Sequence, residues 1–192
     1  MPDIDIDFVD RDQALKLFKH IRASRADEGK LVKHNTGVYL HEVPVDAVSG
    51  LCSVDYTHAE EQGYFKIDFL NLGLYKGVRD EAHLVTLMNT EPLWDLLLDD
   101  NFSNLLFHVN GHGGILKTMK PTSVEQLAAV LALIRPAKRH LIGKGWEEVM
   151  KEVWEKPTND EYYFKKSHAT AYAMAVVVQM NLICEGISYE FS

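Results

Sequence analysis

Cysteine is scarce in this chain: Cys52 and Cys184 are its only two in 192 residues. That excludes a disulfide framework, and neither thiol has zinc-ligand spacing. Both read as packing residues. No run approaches the roughly 20 apolar residues of a membrane span. The N-terminus lacks the basic and apolar segments of a signal peptide. The expectation is a cytoplasmic protein without a membrane partner. Positive charge is also in deficit, with 20 Lys and Arg against 28 Asp and Glu and a net charge of −8. A free-standing nucleic-acid binder usually carries a basic footprint, so tight DNA binding by this chain alone is disfavoured. Basic residues do gather locally, at 16–25, 117–120, 135–144 and 165–166. The run Gly111-His112-Gly113-Gly114 lacks the lysine spacing of a phosphate loop and reads as a helix-entry loop. There is no internal repeat, low-complexity tract or clear linker. With 46% hydrophobic residues the chain can still build a real core, as one domain or one domain with an appendage.

What is present is an unusual acidic strand. Residues 2–8 read Pro-Asp-Ile-Asp-Ile-Asp-Phe. Asp is a poor strand former, yet here it alternates with apolar residues at period two. In a strand, Asp3, Asp5 and Asp7 share one face and Ile4, Ile6 and Phe8 the other. Same-face carboxylates then stand about 6–7 Å apart. Each neighbouring pair repels by about 2–2.5 kcal/mol at an effective dielectric near 20. A partly buried strand tolerates this if something positive lies over that face, and Mg²⁺ is the usual partner of clustered carboxylate oxygens. The plainer reading is a solvated acidic edge strand that discourages aggregation.

A second strand is expected over Tyr64–Leu70, with Phe65, Ile67 and Phe69 on one face and Lys66 and Asp68 on the other. Asp68 is then either half of a Lys–Asp pair in an edge strand or a metal ligand carried beside Asp3 and Asp5 by strand pairing. Between these strands, Asp10 or Asp12 is expected to cap a helix with an apolar stripe at Ala14, Leu17, Phe18 and Ile21, ending before Gly29. Lys33-His34-Asn35-Thr36-Gly37 reads as a polar turn before a strand over Val38–Val43. Helices are expected over Leu74–Met88 and Leu93–Leu98. Another starts at Thr122 or Ser123 and runs to Ile134, stopped by Arg135-Pro136. Trp146–Trp154 is amphipathic, and Ser167 is expected to cap a long helix over His168–Ile183.

The order of these pieces resembles the alpha subunit of bacterial DNA polymerase III, the family C replicative polymerase. Residues 2–8 match its PDxDxDF motif, and Arg11-Asp12-Gln13 continues it. Lys33-His34 with Val38-Tyr39-Leu40 resembles the turn and strand that follow. Lys66-Ile67-Asp68-Phe69-Leu70 is similar to its KFDFLGL strand. Lys117, Pro121 and Ala132-Leu133-Ile134-Arg135-Pro136 resemble the start of its fingers. Phe164-Lys165-Lys166-Ser167-His168-Ala169-Thr170-Ala171-Tyr172-Ala173 resembles the fingers segment F-N-K-S-H-x-A-A-Y-A. Six short blocks in the right order carry the resemblance over nearly the whole chain.

The resemblance implies a fold, α/β in the α+β sense. A polymerase-beta-like nucleotidyltransferase palm with a small mixed sheet would occupy residues 1–90, and a helical fingers remnant residues 91–192. It implies Asp3, Asp5 and Asp68 as catalytic ligands of two Mg²⁺ ions, with Mn²⁺ able to substitute and Asp7 supporting the site. The chemistry would be transfer of a deoxynucleotide to a primer 3′-hydroxyl. Primer–template DNA and deoxynucleoside triphosphates would be the partners. Lys33, His34, Lys66, Lys117, Arg135, Lys166, Ser167 and His168 would be nucleotide- or DNA-binding, each with solvated surface charge or helix capping as the plainer role. The family also has a Gly- and Ser-rich palm segment and a thumb before the aspartates, and a longer Arg-rich fingers stretch where this chain is short. Asn71 and Gly73 depart from the family's Gly-Leu-Arg run. A second polymerase chain supplying the missing palm and thumb is therefore expected, in a setting such as a phage. Two other readings stay open: a non-catalytic relic or accessory protein, and a small metal-dependent nucleotide phosphotransferase.

Overall fold

A computed structural model of the chain describes residues 4–158 and 163–190, with side chains through 186. Asp3 therefore lies outside the described residues. The chain forms two compact units, residues 1–76 and 77–192.

The first unit is a five-stranded mixed sheet in the order β1-β5-β3-β2-β4. Its strands are β1 (Ile4–Phe8), β2 (Ile21–Asp27), β3 (Lys30–Tyr39), β4 (Leu51–Asp55) and β5 (Ile67–Asn71). β1 runs parallel to β5, and β2 parallel to β4; β3 is antiparallel to both β2 and β5. The alternation read from the sequence is realised. Val38, Ile67, Phe69 and Phe8 pack on one face with Leu15 of α1 (Arg11–Leu15). Phe8 stacks on Phe69 with ring centroids 4.7 Å apart. Tyr39, Ala23 and Cys52 pack on the other face with Ala59 of α2 (Tyr56–Glu61). Ser24, fully buried, offers its hydroxyl to the carbonyls of Cys52 at 2.7 Å and Val54 at 2.8 Å, tying β2 to β4.

Two expectations for this unit are corrected. The helix expected from Asp10 or Asp12 through the stripe to Ile21 ends at Leu15, and Ile21–Asp27 is a strand. Leu17 is 81% exposed, so the apparent stripe does not reach the core. Gly29 closes a hairpin instead of a helix: Asp27 pairs with Lys30, and the two residues between have φ of 46° at Glu28 and 78° at Gly29. Positive φ at both central positions is the type I′ geometry that matches strand twist. Second, the polar turn at 33–37 lies within β3. From Lys33↔Ser24 to Val38↔Arg22, β3 advances five residues while β2 advances two, so β3 bulges there.

The second unit is helical. Its α-helices are α3 (Glu81–Asn89), α4 (Asp100–Ser103), α5 (Gly113–Met119), α6 (Val124–Leu133), α7 (Trp146–Glu152) and α8 (Lys166–Glu190). The helix expected over Leu74–Met88 is broken: a 3-10 turn covers Gly73–Gly77, and Asp80 accepts from the His83 amide at 2.8 Å to start α3 afresh. Trp94–Leu98 is a 3-10 turn. α6 starts as its sequence indicates, with Ser123 Oγ accepting from the Gln126 amide at 3.2 Å and Gln126 Oε1 accepting from the Thr122 amide at 2.8 Å. Pro136 stops it. α8 begins at Lys166, so Ser167 sits inside the first turn and does not cap it. The core is built from Leu127–Ile134 of α6 against Ala169, Ala173, Val176, Val177 and Met180 of α8. Asn181 of α8 donates to the Leu87 and Thr90 carbonyls, both at 2.9 Å, and so closes the end of α3. Among the described residues no helix is long and apolar enough to cross a membrane.

Candidate functional site

The two acidic strands do come together. Asp5 of β1 is the register partner of Asp68 of β5. Partners in adjacent parallel strands project from the same face, with backbones about 4.8 Å apart. Asp7 lies on that face one pleat further along, opposite Leu70. Burial, and then the neighbouring Asp5 charge, push the Asp7 carboxyl up from the usual carboxylate range. Burial and the charge of Asp7 push the Tyr75 phenol up as well. β5 lies between β1 and β3, so Asp68 sits inside the sheet while Asp5 sits on its edge strand.

Asp68 is held on two sides. Thr36 Oγ1 donates to its Oδ1 at 2.7 Å, and the Lys66 ammonium pairs with its Oδ2. The side chains of Lys66 and Asp68 are only 17% and 16% exposed, so solvent screens this pair poorly. The bulge in β3 supplies the geometry. His34 Nδ1 accepts from the Gly37 amide at 2.9 Å and the Thr36 amide at 3.3 Å, folding residues 34–37 around the imidazole. A ring nitrogen that accepts two N–H groups carries no proton, so the neutral ring has its proton on Nε2. Burial first, then the Lys66 charge, hold His34 below the ordinary histidine pKa, which agrees with that tautomer. His34 thus shapes the bulge and does not neutralise Asp68, 3.8 Å away. Arg11 donates to the Asn35 carbonyl at 2.6 Å and fixes the bulge from the start of α1.

Gly37 is the register partner of Asp68 across β3 and β5. A Cβ there would lie 2.7 Å from Lys66 Cδ and 2.9 Å from His34 Nδ1. Only glycine lets both side chains close over this face. The ring of Tyr56, at the start of α2, packs edge-on to His34 at 5.0 Å and lies 5.7 Å from Lys66 Nζ.

Sequence reasoning named Asp5, Asp7, Asp68, His34 and Lys66, and all five lie in this unit. Lys33 pairs with Ser24 in the ladder, and its side chain is exposed. Thr36, Gly37, Arg11 and Tyr56 were not singled out. The Thr-Gly after the His was the available signal, since a turn donor and a residue without Cβ are what a bulge against an acidic strand requires. Among the described residues, no three His, Cys, Asp or Glu side chains gather to hold a metal ion. A cavity of about 490 Å³ near His20, Tyr39, His41 and Glu42 is lined by none of these carboxylates.

The remaining candidates lie in the helical unit. Lys117 pairs with Asp100 at 2.5 Å. The Arg135 guanidinium lies 5.0 Å over the Phe164 ring. Lys166 and Ser167 are exposed on the first turn of α8, whereas His168 is half-buried, with its ring 6.4 Å from that of Phe164. Beside them is a histidine the sequence did not flag. His108 has φ of 62° and is enclosed by Phe107 at 4.0 Å, Tyr172 at 4.6 Å and Phe164 at 6.4 Å. Burial, then the Arg135 charge, press its pKa down to about 4. His108 is therefore neutral in the fold at pH 7 but binds a proton near pH 6.5 when unfolded. The unfolded state holds more protons between pH 6.5 and 4, so acidification costs stability across that window. Chemical denaturation at pH 7 and pH 4.5 is expected to show a loss of up to about 2–3 kcal/mol from this group, which His108→Phe removes. A loss of the same size in His108→Phe would assign the effect elsewhere.

The chain is thus a mixed α/β protein with a five-stranded sheet carrying a carboxylate pair. No protein-family model and no curated protein matches it.

Proposed function

We propose that the chain is a nucleotidyltransferase palm and fingers fragment of the family C polymerase kind, acting on a primer 3′-hydroxyl and a deoxynucleoside triphosphate. The observation that carries this reading is the register match of Asp5 with Asp68 on parallel strands. It joins the two motif blocks that the resemblance assigns to one metal site, although 62 residues lie between Asp5 and Asp68 in sequence.

The donors suit a hard divalent cation. Their oxygens are carboxylate only, burial and then the Asp5 charge hold the Asp7 carboxyl above the usual carboxylate range, and Asp68 already has a cation at Oδ2. Asp5 and Asp68 would hold the ions, with Asp7 and Asp3 completing the set. Two bound Mg²⁺ ions would supply charge stabilisation to the attacking and leaving oxygens. The chain's own part is to fix these carboxylates: Thr36 orients Asp68, and the Gly37 gap keeps Lys66 against it. Lys66 adds positive charge beside the carboxylates, suited to a phosphate, and Lys33 is proposed as a further nucleotide or DNA contact. Lys117, Arg135, Lys166, Ser167 and His168 are proposed as nucleic-acid or nucleotide contacts of the helical unit.

Positioning supplies a large part of the rate in such transfers. The test is therefore primer extension with Mg²⁺ and all four deoxynucleotides, by the chain alone and with a chain carrying the family's upstream palm and thumb. Extension in the second mixture only is the expected result. Failure in both favours the non-catalytic reading, in which Lys66 permanently neutralises Asp68. Turnover of free nucleotides without a primer would instead indicate a phosphotransferase.

A further inference from the structure

The cation that balances Asp68 is part of the chain itself. Lys66 stands two residues before Asp68 on the same face, and its ammonium takes Asp68 Oδ2 while Thr36 takes Oδ1. Both carboxylate oxygens are engaged. Lone pairs remain on both oxygens, but a divalent ion ligated by Asp68 would stand beside the Lys66 ammonium on the same carboxylate. Two charged groups within one coordination distance of a carboxylate, both positive, cannot share it without repulsion. The Tyr56 ring, 5.7 Å from Nζ, already lies under the ammonium and would still partner it once Asp68 is released, and Gly37 has no side chain to crowd the lysine stem.

We infer that Lys66 is an internal stand-in for the divalent cation: it neutralises Asp68 in the metal-free protein and leaves Asp68 when the ion binds. The inference rests on the metal-site reading above. The lysine lowers the metal affinity of the site below what its carboxylates alone would give. Its displacement also turns an ammonium committed to a carboxylate into one available to an incoming phosphate, so metal and anion binding reinforce each other through Lys66.

Manganese titration followed by electron paramagnetic resonance reads the competition without any turnover. Lys66→Gln and Lys66→Met should each bind Mn²⁺ about tenfold or more tighter than the wild type, the scale on which one adjacent charge shifts a carboxylate equilibrium. Asp68→Asn should show no Mn²⁺ binding. In the wild type, Mg²⁺ should speed acylation of the Lys66 amine by an activated ester several-fold, read by peptide mass spectrometry. In Asp68→Asn that labelling should already be fast without Mg²⁺. A folded Lys66 variant that binds Mn²⁺ no better than the wild type overturns the inference and leaves the metal site standing. No Mn²⁺ binding in the wild type or in either Lys66 variant overturns the metal-site reading, and the inference with it. Should neither variant fold, labelling of the wild type decides, and a rate unaffected by Mg²⁺ is the overturning result.

Discussion

Asp68→Asn and Asp5→Asn should each abolish divalent-cation binding and cut any primer extension by about 10²–10³-fold or more, the scale for losing one preorganised charge-stabilising group. The two variants should differ in stability. Asp68→Asn would leave the Lys66 ammonium, only 17% exposed, without its carboxylate. Breaking a buried pair by removing one partner costs up to about 3–5 kcal/mol. Thr36 keeps an acceptor in the new amide oxygen, which softens the loss. Asp5 is exposed on the edge strand, so Asp5→Asn should change stability by less than about 1 kcal/mol. The expected pattern is two inactive proteins, of which only Asp68→Asn melts early. Extension that persists in both would show that the site is misassigned. Activity lost only in Asp68→Asn, in step with its melting, would indicate a structural role for that carboxylate.

Much of this site was legible because strand periodicity is strict. Once Ile4, Ile6 and Phe8 face one way, Asp5 and Asp7 must face the other, and the same rule sets Lys66 and Asp68 against Ile67 and Phe69. Period two also allowed the pairing of β1 with β5 to be anticipated, since both strands carry an apolar and a charged face. In the sequence, a Lys66–Asp68 pair is the plainer alternative to metal ligation. The structure contains that pair, on a strand inside the sheet and not at its edge. The bulge at 34–37 had one signal, the Thr-Gly after His34, but its geometry depends on an imidazole accepting backbone amides within its own strand, which periodicity does not reveal. β2 was misread because Ala14, Leu17, Phe18 and Ile21 satisfy a helical spacing by coincidence. The hairpin turn at Glu28-Gly29, which needs only local backbone freedom, overrides it. In the helical unit, capping chemistry located α6 closely, and the same kind of signal, Gly77 followed by the capping Asp80, marks the break between the 3-10 turn and α3.

The block Phe164–Ala173 shows how one motif serves two ends. Ala169 and Ala173 are fully buried against α6, while Lys165, Lys166, Ser167, Thr170 and Ala171 face outward. The small residues are explained by packing and the outward ones are left for contacts. Ala173→Asp tests that division. It would place a carboxylate among the apolar side chains of Leu127–Leu133, Val176 and Val177. Burying an unpaired charge costs several kcal/mol even after relaxation, and the added volume strains a close-packed interface by about 1–3 kcal/mol more. Domains of this size hold only about 5–15 kcal/mol in total. Ala173→Asp is therefore expected to lose the cooperative unfolding transition of the helical unit in calorimetry and near-ultraviolet circular dichroism. Ala171→Asp, on the exposed side of the same turn, should cost less than about 1 kcal/mol, chiefly helix propensity. Equal melting of the two variants would mean that α8 does not bury this face, and the packing account of the motif's alanines would fail.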